Sequence, residues 1–197
     1  MSFGYATGRT LKSDEQMTSG LATRTFDTKR FTMRALVRSD TAALYGTLSD
    51  EAQCRYMSQP HFTSPEALAD WLTDSEWPGR TWVAIDKTDG TLAGRFVAFP
   101  GRDAGVLELG YITIAERQGH GVATECVTAL VDHLFSEGDY RRLYAEIDAE
   151  NEASVRLIER LGFTREAYLR QHEVTHKGLC DLVIYGLLRD EWTGAVK

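Results

Sequence analysis

A chain of 197 residues, 43% hydrophobic and 26% charged, has the composition of a soluble globular protein and enough length for one substantial core. Its formal charge of -7 argues against general nucleic-acid binding, which needs a basic stripe, and no apolar run is long enough to cross a bilayer. Three widely spaced cysteines, Cys54, Cys126 and Cys180, form no metal-ligand pattern and fit reduced thiols in a cytoplasmic protein, so no metal is expected.

Met1 to Thr23, rich in Gly, Ser and Thr, reads as an extension that is loose or packed on a partner surface. The organised fold is expected from Arg24 to the end, as one domain spanning 24–197. Phe31, Met33 and Ala35 alternate with Arg30, Thr32 and Arg34, which predicts a strand running from the start of the domain through Ala35. Ser39-Asp40 caps a helix over Ala42–Leu48, a short helical piece covers Glu51–Tyr56, and Ser64-Pro65-Glu66 opens another helix. That last helix carries Leu68, Trp71 and Leu72 on its apolar face, as core or pocket wall, and ends at Trp77-Pro78-Gly79. Arg80–Ile85 and Thr91–Phe99 form a hairpin around Asp89-Gly90.

The stretch from Glu108 to Val131 organises the rest. Leu109, Tyr111 and Thr113 point to one side of a strand, and Gly110, Ile112 and Ile114 to the other. Gln118-Gly119-His120-Gly121-Val122-Ala123 then supplies small residues at the start of a helix expected over 119–137. Unpaired N–H groups and the positive dipole end of such a helix make an anion cradle, and the same pattern also suits an ordinary helix start. It is neither a Walker loop nor a dinucleotide fingerprint, for lack of the Lys-Ser or Lys-Thr pair and the third glycine. Beyond it come a strand over Arg142–Ile147, a helix capped by Asn151, a Gly162 stop, and strands over Thr164–Val174 and Leu179–Leu188. This β-α-β-α-β-β order predicts a mixed sheet with at least one parallel pair, both helix starts lying at one sheet edge. A ligand phosphate at 119–124 would then lay an extended arm along the strand at 111–114 and emerge near Asn151 and Ser154.

On these residues the sequence resembles the GCN5-related N-acetyltransferases (GNAT), and within them the branch that acetylates ribosomal-protein N-termini. Gln118 to Ala123 is similar to the family's pyrophosphate motif; Glu108-Leu109-Gly110-Tyr111, Asn151 with Ser154, Leu161-Gly162-Phe163 and Asp181 to Trp192 match the branch in order and spacing. The resemblance covers Arg24 to Trp192. It implies an α/β (α+β) fold: a mixed, mainly antiparallel seven-stranded sheet with helices on both faces and splayed parallel strands four and five, here 106–114 and 142–148. It implies an acetyl-CoA-dependent transferase in which a primary amine, on a protein or peptide N-terminus, attacks the thioester directly. The other readings are a small-molecule amine or aminoglycoside acetyltransferase, or an acyl-CoA-binding protein that transfers nothing. Ile112, Thr113, Ile114, Gln118, Gly119, His120, Gly121, Val122, Ala123, Thr124, Asn151 and Ser154 are the positions the resemblance assigns to acetyl-CoA. The extension and the sheet edge offer surfaces for a homodimer.

The chemistry needs a deprotonated amine, a stabilised thioester oxygen and a protonated leaving thiol. An amide near Ile112 is the expected oxyanion donor. The family's tyrosine after the Asn151 position is missing from Arg156-Leu157-Ile158, leaving Ser154 as the thiol-side donor or an ordinary first-turn serine. Asn151 is a cofactor contact, a helix cap, or both. Glu108 and Glu173 rank equally as the base; His172 beside Glu173 is a weaker candidate, and Tyr111 reads as packing or cleft wall. Asp70, Asp74 and Glu76, if they face the cleft, suit a cationic acceptor.

Overall fold

The computed structural model describes residues 22–194, so the extension at 1–23 lies outside it but for Ala22 and Thr23. In chain order the elements are β1 (Phe26–Asp27), β2 (Phe31–Ala35), α1 (Thr41–Leu48), α2 (Glu51–Cys54), α3 (Pro65–Leu72), β3 (Arg80–Asp86) and β4 (Leu92–Pro100). They continue as β5 (Val106–Thr113), α4 (Val122–Glu137), β6 (Arg142–Asp148), α5 (Glu152–Arg160), β7 (Thr164–Thr175) and β8 (Gly178–Leu188). The sheet order is β1-β2-β3-β4-β5-β6-β8-β7, antiparallel throughout except for β5 beside β6.

Eight strands replace the expected seven because the first predicted strand folds back on itself. Thr28 and Arg30 bracket a turn, with the Thr28 N–H donating to Phe31 O at 2.8 Å, and Phe26 comes to pair with Met33. Helices lie on both faces, and the alternation of β3 shows why. Trp82 and Ala84 pack on the side of α4 and α5 with Leu130, Val131, Leu134 and Ile158, whereas Val83 packs on the other side with Leu44, Leu48, Leu68 and Leu72. Cys54, Cys126 and Cys180 are free thiols buried in this framework.

Helix ends follow local chemistry. Ser64 Oγ accepts the Ala67 N–H at 3.1 Å with Pro65 in the first turn, and Asn151 Oδ1 accepts the Ser154 N–H at 3.2 Å. α4 begins at Val122 rather than 119, because Gly119 and Gly121 hold φ of 76° and 74°, a left-handed backbone that cannot belong to an α-helix.

One feature of the sheet positions everything else. β5 and β6 pair only over Val106–Glu108 and Arg142–Tyr144, although β5 runs on to Thr113 and β6 to Asp148. Past that point β5 stays with β4 through Thr113↔Gly94, and β6 stays with β8 through Asp148↔Leu182. The two parallel strands splay apart, and their facing edges lose their ladder partners.

Candidate active site

The gap opens into a cleft of about 790 Å³. Its floor is the sheet face toward α1–α3, where the β4–β5 register sets Arg95 beside Ile112, Val97 beside Gly110, and Phe99 beside Glu108. Trp71 and Trp77 form one wall with Asp74 and Glu76, and Glu146 and Glu173 close the opposite side. Asp70 turns away to pair with Arg38 at 2.7 Å. Asn151, Ser154 and Tyr111 stand where the cleft meets the first turn of α5.

At the other end of the gap lies the α4 start. Among the described residues, no backbone N–H from Gly119 to Thr124 donates a hydrogen bond, the series resuming with Glu125 N–H to Gly121 O at 3.1 Å. The flanking side chains are fixed: Gln118 donates to Gln53 Oε1 at 2.7 Å and to Thr113 O at 3.3 Å, and His120 Nδ1 lies 2.8 Å from Gln118 O. Arg30, which the sequence reading passed over, bonds Glu125 Oε2 through Nε at 2.6 Å and His120 O through Nη1 at 3.0 Å. A guanidinium therefore stands against the turn, carried by the β1–β2 turn 90 residues before His120, and no local pattern announces it. Consecutive donors at a helix N-terminus with glycines and one cation suit a diphosphate.

The phase of β5 decides which of its amides face the gap. Ile114 donates to Ala93 O at 3.0 Å and Val106 O accepts from Gly101 N–H at 2.9 Å, so even-numbered residues of β5 face β4, and the register between them has no slip. The Ile112 amide therefore points at β4, while the amides of Leu109, Tyr111 and Thr113 face the gap. Ile114, expected among the cofactor contacts, is instead buried in the α1–α3 core. Val122 is likewise buried, leaving only its amide to offer a ligand.

Glu108 and Glu173 share the cleft but not an environment. Glu173 is exposed, carried by a register slip in β7 where Gln171 takes φ of 50° and gives its N–H to Asp181 Oδ1 at 2.7 Å. That bulge accounts for the polar passage Arg170–Glu173 within a strand. Glu108 is half-buried, and its carboxyl is pushed up to about 7, first by burial and then by the charge of Glu146, with Glu173 adding to it and Tyr144 opposing. Glu146 itself is raised, by desolvation and then by Glu173, with His172 pulling it down. Tyr111 packs against the α4-side core, its hydroxyl 3.5 Å from Ser154 O, and burial pushes its phenol up to about 12. Arg95, Tyr144 and Glu146 went unread in the sequence; Arg95 had a signal, as the one charged residue of an otherwise apolar strand, whereas Tyr144 and Glu146 sit in a strand that alternates polar and apolar residues throughout.

A family model described as "Acetyltransferase (GNAT) domain" matches residues 30–164, from the turn before β2 to the start of β7. The chain belongs to the GNAT acetyltransferases. A similar curated protein is the uncharacterized N-acetyltransferase p20 of Bacillus licheniformis, 28% identical over 176 residues, covering 86% of this chain and 99% of that one. Among solved structures, RimL, a ribosomal alpha-N-protein acetyltransferase in complex with coenzyme A, superposes with a TM-score of 0.73 at 21% identity, covering 84% of this chain and 98% of that one. Spermidine N-acetyltransferase from Vibrio cholerae, with CoA and spermine, superposes with a TM-score of 0.72 at 22% identity, covering 82% and 97%. These structural likenesses bear on the fold. This GNAT chain is an N-acetyltransferase whose family match stops at Thr164, so Glu173 lies beyond it.

Asn151 in this acetyltransferase caps α5, and the dual reading of it can be separated. Asn151→Ala is expected to lower stability by about 1 kcal/mol, the usual loss of a cap. If the residue also touches CoA, the CoA dissociation constant rises about tenfold; calorimetry beside urea denaturation reads both. A stability loss with unchanged CoA affinity leaves it a cap alone.

Proposed function

We propose that the protein acetylates an α-amino group with acetyl-CoA, both substrates being held at once across the β5–β6 gap. The observation that carries this reading is Glu108: a half-buried carboxyl poised at about 7 on the floor where the gap meets the open cleft. Acetyl-CoA supplies an activated acetyl thioester. Amides 119–124 and Arg30 hold its diphosphate, and the gap-facing edge of β5 pairs with its arm as a neighbouring strand would.

Glu108, ionised, takes one proton of the ammonium directly or through a water, the freed lone pair forms the new carbon–nitrogen bond as the carbon–sulfur bond breaks, and the second proton that the nitrogen sheds passes to the leaving thiolate to give the thiol. The amides of Leu109, Tyr111 and Thr113 offer donors to the charge that develops on the thioester oxygen. The Tyr111 phenol, kept protonated beside the first turn of α5, and Ser154 offer donors to the departing sulfur.

The amine class follows from matching acidities. The α-ammonium of a peptide N-terminus has a pKa of about 7.7–8.0, so a base near 7 removes its proton at a cost of about 1 kcal/mol. An alkyl ammonium near 10.4 would add about 3.5 kcal/mol to the same transfer. The relatives' names divide in the same way, one acting on ribosomal alpha-N groups and one on spermidine. In a coupled assay of CoA release at pH 7.5, short peptides with a free N-terminus are expected to exceed spermidine in kcat/KM by at least about tenfold. A reversed order removes the α-amine reading, and no heat of binding with CoA removes the acetyl-CoA site.

A further inference from the structure

The acidic side of the cleft explains how an amine is met; Arg95 has no place in that account. It projects from the middle of β4 between buried Gly94 and Phe96, on the same sheet face as Glu108 and in register with Ile112. Its guanidinium lies 4.6 Å from the Trp71 ring centre and 5.9 Å from that of Trp77. Its Nε is buried without a hydrogen-bond partner.

The contrast with other arginines is instructive. Arg34 grips Asp40 at 2.7 Å, Arg80 grips Glu137 at 2.5 Å, and Arg189 gives its donors to the carbonyls of Phe135, Gly138 and Tyr140. Arg95 has two indoles and no anion among the described residues. Burial without a counter-charge lowers its pKa to about 10, a direction opposite to that of Arg34. Desolvating a guanidinium this way is unfavourable unless an anion arrives to pair with it. The one direction from which an anion can come is the cleft that Arg95 lines.

We infer that the acceptor carries a carboxylate as well as its reacting amine, and that Arg95 is the residue that reads that carboxylate. The inference rests on the amine-acceptor reading above. A carboxylate fits better than a phosphate, because Asp74, Glu76, Glu108, Glu146 and Glu173 line the same cleft and a dianion would be repelled. A molecule with an ammonium at the carboxylate end and one carboxylate at the guanidinium end matches the charge at both ends. Indoles along the guanidinium leave its edge, with its fork of parallel N–H donors, to meet a planar carboxylate in two hydrogen bonds. A polyamine would instead bring a second cation toward Arg95. The anion has two sources, the α-carboxylate of a free amino acid or the acidic side chain of a peptide's first residues.

The test compares matched acceptors. Free L-amino acids are set against their α-amides, and short peptides beginning with Asp or Glu against those beginning with Asn or Gln, by kcat/KM in the CoA-release assay. In one of the two series the acid is expected to exceed its neutral partner by roughly 100-fold in the wild-type protein, and that series identifies the source. Arg95→Met is expected to collapse this ratio toward one, and Arg95→Lys to retain part of it. Because Arg95 packs between tryptophans, binding supplies a second readout. In calorimetry on the CoA-loaded wild-type protein, the N-acetylated acid should bind more tightly than the N-acetylated amide by a similar factor. Equal turnover and equal binding of acid and neutral partner in both series overturn the inference while leaving amine acetylation intact. No turnover with any amine, acid or neutral, ends the acetyl-transfer reading and the inference with it.

Discussion

Glu108→Gln is expected to lower kcat/KM for the amine by roughly 10²–10⁴, the usual worth of a positioned general base, and at the same time to make the protein more stable above pH 7. The two effects share one cause. The folded protein holds this carboxyl at about 7 against an ordinary 4.5, so folding favours the protonated form. A raised carboxyl pKa contributes stability that is full below about 4.5 and is lost as pH rises through about 7. By pH 8 the ionised side chain disfavours the fold by about 3 kcal/mol, the free-energy equivalent of moving the carboxyl from 4.5 to about 7. Glutamine carries no charge, so the variant escapes that loss at pH 8 and gains nothing at pH 4. Activity has the opposite sign, because the ionised form is the base: wild-type kcat/KM climbs through about pH 7 and the variant lacks that limb. The groups facing Glu108 are Glu146, Glu173 and Tyr144, with His172 acting through Glu146. Glu146→Gln or Glu173→Gln should therefore move the limb to lower pH without abolishing it. Urea midpoints at pH 4 and pH 8, beside pH–rate profiles, decide the matter. A variant that loses turnover and also loses stability at pH 8 would mark Glu108 as a structural residue.

That this glutamate is the more buried of the two candidate bases could not be read from the sequence, and the reason lies in the physics of a sheet. Alternation along Leu107–Ile114 places Glu108 on one face but does not say how deep that face lies, which depends on α3 and on β6, both remote in sequence. The helix start was legible because its signal is local: Gly119 and Gly121 are needed wherever the chain takes a left-handed turn before a helix. The splay of β5 from β6 was legible only through the family likeness, since nothing within either strand says where pairing stops. Which edge of β5 presents a given amide is fixed by the phase of its pairing with β4, so that the Ile112 amide faces β4 while those of Tyr111 and Thr113 face the gap could not be read from the strand alone. Arg30 and Arg95 were missed for a related reason. An arginine in a turn or on a strand is unremarkable until the partners around it are known, whether Glu125 and the α4 turn or two tryptophans and no anion.

Gly121→Val tests the other end of the gap, and its expected outcome is the converse of Glu108→Gln. Gly121 caps α4 with φ at 74°, where a β-branched residue is strained by on the order of 1–2 kcal/mol. A Cβ there would meet Arg30 Nη2 at 3.5 Å, an ordinary contact, so crowding is minor and conformation decides. Relaxing toward negative φ turns the peptide planes on either side of residue 121 and spoils the common aim of the 119–124 amides. Expected are a stability loss of about 1–2 kcal/mol and an acetyl-CoA dissociation constant raised by roughly 30- to 100-fold, from losing about one hydrogen bond to a charged group. Because the turn is far from the reacting atoms, kcat at saturating acetyl-CoA should stay within a few-fold. Gly121→Asn is the control, since asparagine tolerates the left-handed region better and should retain more affinity at similar bulk. If Gly121→Val shows the stability loss yet binds acetyl-CoA as the wild type does, the turn is a helix start and nothing more, and the diphosphate must sit elsewhere. If asparagine and valine weaken binding equally, bulk near Arg30 and not backbone conformation controls the site.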